Sequence, residues 1–293
     1  MLSAANRSAT AGFDPGAVSG QGRARATRAY TLGSDAAEQA RLRRQSAELR
    51  DHAAALLDRV ALGQGQRAID LACGPSGMLE LLSDRVGARG QVIGLDCDPT
   101  HVALAHGLAL ERGLTNVTVL EGDARRTQLP QGSFDLVHAR LLLINIPRPA
   151  EVLTEMVRLA KPGGWVDSQE ADALLLCQPP HPAWERLSEV LRETYRQDGA
   201  DLQIGRRLPE LYRAAGLVDV GVAVHADHHA AGDTRHTLIP DLVRTMRAKI
   251  SQRELVSEQE LEALDDTIRT HLNDHGTITV PHLLFSVWGR KPR

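Results

Sequence analysis

Asp70-Leu71-Ala72-Cys73-Gly74-Pro75-Ser76-Gly77 follows a short apolar run that begins at Arg67, and it leads into a helical pattern over residues 78–86. An acid at a strand end, a turn of glycine and proline, and then a helix make a loop whose backbone N–H groups can face a ligand. Outward from this loop the same beat repeats. Residues 91–96 have strand character and 100–112 helical character, with Pro99 beside the turn. Residues 116–121 and 134–139 are further strands, 151–160 is a helix, and Lys161-Pro162-Gly163-Gly164 stops it before a strand at 165–169. Strands alternating with helices at this pitch predict an α/β fold, a parallel sheet with helices on both faces. Continuous apolar strands such as Phe134-Asp135-Leu136-Val137 suit burial on both sides.

Upstream, residues 34–62 carry Leu42, Leu49, Leu56 and Leu57 near helical spacing, with Ser34 or Asp35 as the cap and Gly63-Gln64-Gly65 as the stop. Beyond Ala171 the beat changes. Helices are expected at 184–197 and 207–215, strands at 217–225 and 283–288, and helices at 241–250 and 258–271 between those strands. An insertion of that size is a candidate lid over a pocket.

Composition narrows the partners. The chain has 293 residues, 42% hydrophobic and 24% charged, ordinary globular usage that excludes wholesale disorder. Lys and Arg number 34 against 37 Asp and Glu, a net charge of −3, which is no footprint for nucleic acid or an anionic membrane. Cys73, Cys97 and Cys177 form no CxxC pair and cannot make a disulfide framework, so a reducing, cytoplasmic setting is expected. No stretch approaches the roughly 18 apolar residues of a membrane helix, and the N-terminus lacks the apolar region of a secretory signal.

Ligands of open parallel sheets sit beyond the carboxyl ends of the strands. Three such ends are acidic here: the Asp70 loop, Gly94-Leu95-Asp96 and Glu121-Gly122-Asp123-Ala124. Two nucleotide chemistries compete. A dinucleotide fingerprint GxGxxG would fall on Ala72, Gly74 and Gly77, its first glycine missing, with Asp96 as the ribose acid. Asp70 and Asp123 tilt the balance, because a diphosphate gains nothing from extra carboxylates. A ligand carrying an ammonium, a sulfonium and an adenine amino group uses both.

Asp70-Leu-Ala-Cys-Gly-Pro-Ser-Gly77, Gly-Leu-Asp96, Glu-Gly-Asp123-Ala, Phe-Asp-Leu-Val-His-Ala-Arg140 and Lys-Pro-Gly-Gly164, in that order, resemble the motifs of class I S-adenosylmethionine-dependent methyltransferases. The resemblance covers about residues 67–170. Ala72 and Ser76 depart from it, standing where the family commonly has glycine. It implies a Rossmann-like, seven-stranded, mostly parallel sheet whose last strand runs antiparallel, with a helical N-terminal cap and a lid insertion. The expected divisions are a disordered leader at 1–26, the cap at 27–63, the S-adenosylmethionine-binding core at 64–175, helices and a sixth strand at 176–231, the lid at 232–281 and the last strand at 282–293.

Carried over by residue, the resemblance assigns Asp70 to the methionine ammonium through water and Cys73 and Gly74 to the methionine portion; Ala72, small enough for close backbone approach, is also cofactor-binding. Asp96 takes the ribose hydroxyls, Cys97 packs near adenine, Asp123 and Ala124 receive the adenine edge, and Arg140 faces the methionine or the acceptor. Tyr30, ahead of the first helix, is a candidate for closing over the cofactor.

Methyl transfer from a sulfonium is a direct displacement that needs no metal. The Asn-Pro-Pro-Tyr/Phe clamp of amino-methylating enzymes is replaced here by Ala139-Arg140-Leu141-Leu142. The runs Leu141–Ile144 and Leu174–Leu176, with Trp184, Tyr195 and Tyr212, are candidate walls of an apolar pocket, although core packing explains the first run as well. Tyr30-Thr-Leu-Gly33 and Pro179-Pro-His-Pro-Ala-Trp184 resemble small-molecule methyltransferases of bacterial secondary metabolism, which implies natural-product tailoring of a small, largely apolar acceptor. Carbon, oxygen and nitrogen nucleophiles all remain open. Among 12 histidines, His181 and His228 are the candidate bases, and His138 is turned by strand alternation toward the core. His225, His228 and His229 lack the further ligand a metal would need. An NAD(P)-dependent oxidoreductase, a non-catalytic S-adenosyl-binding protein, and a homo-oligomer formed through the N-terminal helix complete the alternatives.

Overall fold

The computed structural model describes residues 36–293, with side chains from Gln39 onward. The leader, Tyr30 and the candidate caps Ser34 and Asp35 lie outside the described residues. The core elements run β1 (Arg67–Leu71), α3 (Leu79–Val86), β2 (Gln91–Asp96), α4 (Pro99–Glu111), β3 (Val117–Glu121), β4 (Phe134–Arg140), α5 (Pro149–Leu159) and β5 (Ala160–Gln178). They are preceded by α1 (Ala36–Glu48) and α2 (Arg50–Arg59). After β5 come α6 (Pro182–Asp198), α7 (Ile204–Ala214), β6 (Val218–Ala226), β7 (His229–Ala230), α8 (Leu238–Thr245), α9 (Arg247–Gln252), α10 (Glu258–Leu272) and β8 (Ile278–Arg290).

The strands form one sheet in the order β3-β2-β1-β4-β5-β8-β6, with β7 pairing β8. β1 to β5 are parallel, and β8 inserts antiparallel between β5 and β6. The expected mostly parallel sheet is therefore present, with one correction: among the described residues it has eight strands rather than seven. The eighth is a two-residue strand, too short to leave a periodic signature.

Alternation along the strands distributes the apolar residues between two cores. Ala68, Val92 and Leu136 face a cluster that takes in Leu57 of α2 and Leu79 and Leu82 of α3. Ile69, Ile93 and Val137 face the opposite cluster, with Met156 and Leu159 of α5 and Tyr212 of α7. Each Val, Leu, Ile or Met side chain among them contributes about 1.5–3 kcal/mol on burial. A third core joins α6 to the inserted helices through Trp184, Leu187 and Leu191 against Ile239, Val243, Ile250 and Ile268.

The expected single helix at 34–62 is two helices meeting at Leu49, and the one expected at 241–250 breaks at Met246. β5 is 19 residues long, far beyond the expected 165–169. Its extension carries Glu170 and Asp172, both fully buried, whose charges disguise a strand.

Candidate active site

The strand order reverses between β1 and β4, and the loop after β1 sits at that switch. The Asp70 carboxylate lies beneath the loop and accepts the Met78 N–H at 2.8 Å. Gly77 closes the turn at φ +44°, and a Cβ there would stand 2.5 Å from both Asp70 Oδ2 and the Cys73 carbonyl. Ala72 takes a left-handed conformation, φ +56°, at a position where the family commonly has glycine. The Cys73 N–H donates to the Leu95 carbonyl at 3.1 Å, tying the loop to β2. Gly74 has φ +59° and nothing within 4 Å of an added Cβ, so the loop's backbone is open to close approach there.

Asp96 is buried and holds two backbone amides, Gly74 N–H at 2.8 Å and Asp98 N–H at 2.9 Å. It thus clamps the loop to the β2–α4 turn, where Asp98 caps α4 through Thr100 N–H at 2.8 Å. Asp123 is exposed and paired with Arg125, whose Nη2 donates to Oδ2 at 2.7 Å; this hydrogen bond, backed by the Arg125 amide and charge, draws the Asp123 carboxyl below its ordinary range. Ala124 beside it is half-buried against the core.

The two cysteines register how closely these acids gather. Burial pushes the Cys73 thiol well up, and the charges of Asp70 and Asp96 add to it. Burial, then Asp96, with smaller contributions from Asp123 and Asp98, pushes Cys97 up to about 11. Strand register puts the acids of β1, β2 and the β3 turn along one edge: Asp70 pairs with Gly94, Asp96 with Glu121, and the Gly122 N–H donates to the Asp96 carbonyl. One consequence is measurable at Cys97, which is exposed. Relative to an ordinary thiol at pH 8 its thiolate fraction falls roughly two-hundredfold, offset about tenfold by greater nucleophilicity. Iodoacetamide alkylation of Cys97, followed by peptide mass spectrometry, is expected to run roughly twentyfold slower than that of free cysteine. A rate equal to free cysteine would show that burial and the neighbouring acids together do not hold the thiol up.

Beneath the loop lies a row of ionisable groups set by strand register: Asp70 pairs with His138, and His138 with Asp167. All three are buried, and His138 Nδ1 stands 2.6 Å from Asp167 Oδ1. Burial pushes the Asp70 carboxyl up, opposed by His138, the Met78 amide and Arg140. Burial alone would hold His138 down, but the Asp167 charge and hydrogen bond, with Asp70, outweigh it and raise its pKa. Arg140, at the end of β4, donates from Nη2 to Ser46 Oγ at 2.9 Å and to the Gly77 carbonyl at 3.2 Å, joining α1 to the loop.

Helix α1 separates two cavities. The first, about 660 Å³, lies between Arg43 and Ser46 of α1, Pro75 to Met78 of the loop, Leu104 of α4, and Arg140. The second, about 90 Å³, lies past the end of β4 and along the distal half of β5, and is mainly apolar, with walls that include Leu141, Ile144, Leu175, Tyr195, Leu238 and His282. Two of these residues, Leu141 (φ +52°) and Leu175 (φ +55°), hold the left-handed conformation that branched side chains avoid. Such strain persists where surrounding structure imposes it. At Leu141 the imposing group is Glu170, whose buried carboxylate accepts the amides of Leu142, Leu143 and Ile144 at 3.0, 2.8 and 3.1 Å. Burial pushes this carboxyl up to about 7 against the pull of those amides.

Of the aromatic residues expected at an apolar pocket, Tyr195 lines the second cavity, while Trp184 and Tyr212 are fully buried core. Leu141 and Ile144 line it too, but Leu143 is core, and Leu174 and Leu176 point outward. The candidate bases lie elsewhere. His181 caps α6, its Nδ1 accepting the Ala183 N–H at 3.1 Å, and stacks on His271. His228 is exposed, and neither lines either cavity. His225, inside β6, stacks on His52, and His229 bonds Asp233, so these two have separate partners. Glu170 and His282 were not singled out in the sequence; a carboxylate inside a strand beside a left-handed turn is the signal that marks the first.

The donor set fits a cationic adenosyl ligand: gathered carboxylates at the strand ends, and an open glycine backbone beside them. The family model described as "Methyltransferase domain" matches residues 62–206. A demethylmenaquinone methyltransferase of Geobacillus kaustophilus is 31% identical over 185 residues, covering 57% of this chain and 77% of that protein. One from Anoxybacillus flavithermus is 28% identical, covering 60% and 83%. Among solved structures, the YcgJ protein of Bacillus subtilis has a TM-score of 0.57 at 18% identity, covering 83% of this chain and 99% of that one. Phosphoethanolamine N-methyltransferase 2 of Haemonchus contortus, solved with phosphomonomethylethanolamine and S-adenosylhomocysteine, has a TM-score of 0.53 at 20% identity, covering 82% and 52%.

Proposed function

Because the chain belongs to the class I S-adenosylmethionine-dependent methyltransferases, we propose that its acceptor is an apolar ring bearing phenol or carbonyl oxygen, of the quinol kind. The observation that carries this reading is the mainly apolar, half-open cavity past the end of β4 and along the distal half of β5; its enclosed part is too small for a whole ring and takes only a ring edge, the rest lying in the open mouth. The relatives named as demethylmenaquinone methyltransferases point the same way. An oxygenated natural-product ring shares that chemistry, and the product assay below separates the two.

S-adenosylmethionine, when bound, supplies the methyl group on its sulfonium. The chain's residues bind and align. In this reading Asp96 takes the ribose diol, Asp123 and Ala124 the adenine edge beside Cys97, and Asp70 the ammonium through water. Ala72, Cys73 and Gly74 flank the methionine portion, and Arg140 holds α1 over it. Aligning nucleophile, methyl carbon and sulfur supplies about 7–11 kcal/mol of the barrier reduction. Helices α1 and α8 border the apolar cavity.

The test supplies methyl-labelled cofactor with prenylated 1,4-dihydroxynaphthalene, polyketide-type phenols and small amines, and reads products by mass spectrometry. Label on a ring substrate is expected; label on amines alone would contradict the proposal. Ala171, also in the cavity wall, gives a steric control. Ala171→Leu is expected to lower kcat/KM for the ring at least about tenfold by filling the cavity, with the cofactor Kd unchanged. Equal loss of both would detach the cavity from the acceptor.

A further inference from the structure

His282, on β8, is the one histidine among the described residues that lines the apolar cavity, and the mechanism above gives it no task. Its Nε2 stands 3.0 Å from Nη2 of Arg235. Arg235 is itself buried, and its Nε lies 3.4 Å from the Glu48 carboxylate of α1. A guanidinium has only donors, so His282 Nε2 must present its lone pair. A neutral imidazole that accepts at Nε2 carries its proton on Nδ1. That second nitrogen makes no hydrogen bond within the described protein.

We propose that His282 is a specificity-determining donor: its Nδ1–H, fixed by Arg235, hydrogen-bonds an oxygen on the acceptor ring. The proposal rests on the apolar-ring reading of the second cavity and adds the group that tells an oxygenated ring from a bare one. The wall's other polar side chains are Arg41, Gln45, Asn145 and Tyr195; a donor fixed among mainly apolar neighbours discriminates because an analogue without the oxygen leaves it unpaired. The charged and titratable groups around the ring are Arg235, His229 and Asp227, with Arg41 of α1 on the same cavity. Burial and the Arg235 and His229 charges hold the imidazole down to about 3, so it stays neutral and cannot serve as the base.

Two measurements decide this on the full-length protein. Long-range ¹⁵N–¹H correlation spectra, with His282 assigned through His282→Asn, are expected to show the neutral Nδ1–H form from pH 5 to 8. The Nε2–H form, or a titration within that range, would overturn the proposal whatever the acceptor. Calorimetry in the presence of S-adenosylhomocysteine then compares 1,4-dihydroxynaphthalene with naphthalene. His282→Leu is expected to weaken the dihydroxy ring roughly tenfold and leave naphthalene unchanged, while His282→Asn, whose amide N–H replaces Nδ1–H, stays within about threefold. Equal weakening of both rings, or none, would overturn the donor role while leaving the apolar-ring reading intact. Failure of the wild type to bind either ring would overturn both.

Discussion

Replacing Asp96 by alanine is expected to raise the dissociation constant for S-adenosylmethionine about ten- to a hundredfold. The charge-assisted hydrogen bonds of a carboxylate to a ribose diol are worth about 1.5–3 kcal/mol, and each 1.4 kcal/mol is about tenfold in affinity. The substitution acts twice in this protein, because the same carboxylate holds the Gly74 and Asp98 amides. Asp96→Asn separates the two actions. It keeps an oxygen for the Gly74 N–H but removes the charge, so it is expected to fall between wild type and Asp96→Ala. Calorimetric titration of each variant, with circular dichroism to establish folding, reads the outcome. A folded Asp96→Ala protein with wild-type affinity would remove Asp96 from the ribose.

The second large effect is on stability. Asp167→Ala should cost about 3–5 kcal/mol, the range for removing one member of a buried ion pair, because it strands the fully buried His138. The lower end is favoured, since an unpaired imidazole can shed its proton. The sign of the pH dependence follows from the raised pKa of His138. The folded protein holds that proton more tightly than the unfolded chain does. The pair's contribution is therefore complete below about pH 6.5 and lost as pH rises through the folded value. Urea denaturation from pH 5 to 9 is expected to show this decline in the wild type and its absence in Asp167→Ala. A cost under about 1 kcal/mol, with an unchanged pH profile, would mean that the pair is not buried in solution.

The sheet was legible because its parallel strands are short, apolar and punctuated by Asp70, Asp96 and the Lys161-Pro-Gly-Gly164 stop. Those signals are local. What the sequence hid depends on distant partners. Glu170 and Asp172 disguise the second half of β5 because each is neutralised from elsewhere, the first by three amides after β4 and the second by Arg206 of α7. His181 invited a catalytic reading because its capping bond to Ala183 has no signature apart from the Pro182 that follows it. The second cavity was only half legible. Leu141 and Ile144 sit in a run in which Leu143 is core, and no periodicity tells wall from filling. His282 acquires meaning only through Arg235, 47 residues away.

A crystal structure of the protein with S-adenosylhomocysteine tests the central claim most directly. The ribose hydroxyls should lie within hydrogen-bond distance of the Asp96 carboxylate, the amino acid end beside Gly74, and the adenine amino group toward Asp123. Density for the nucleoside in the groove between α1 and α4, with Asp96 touching only protein groups, the Gly74 and Asp98 amides and His101, would contradict it.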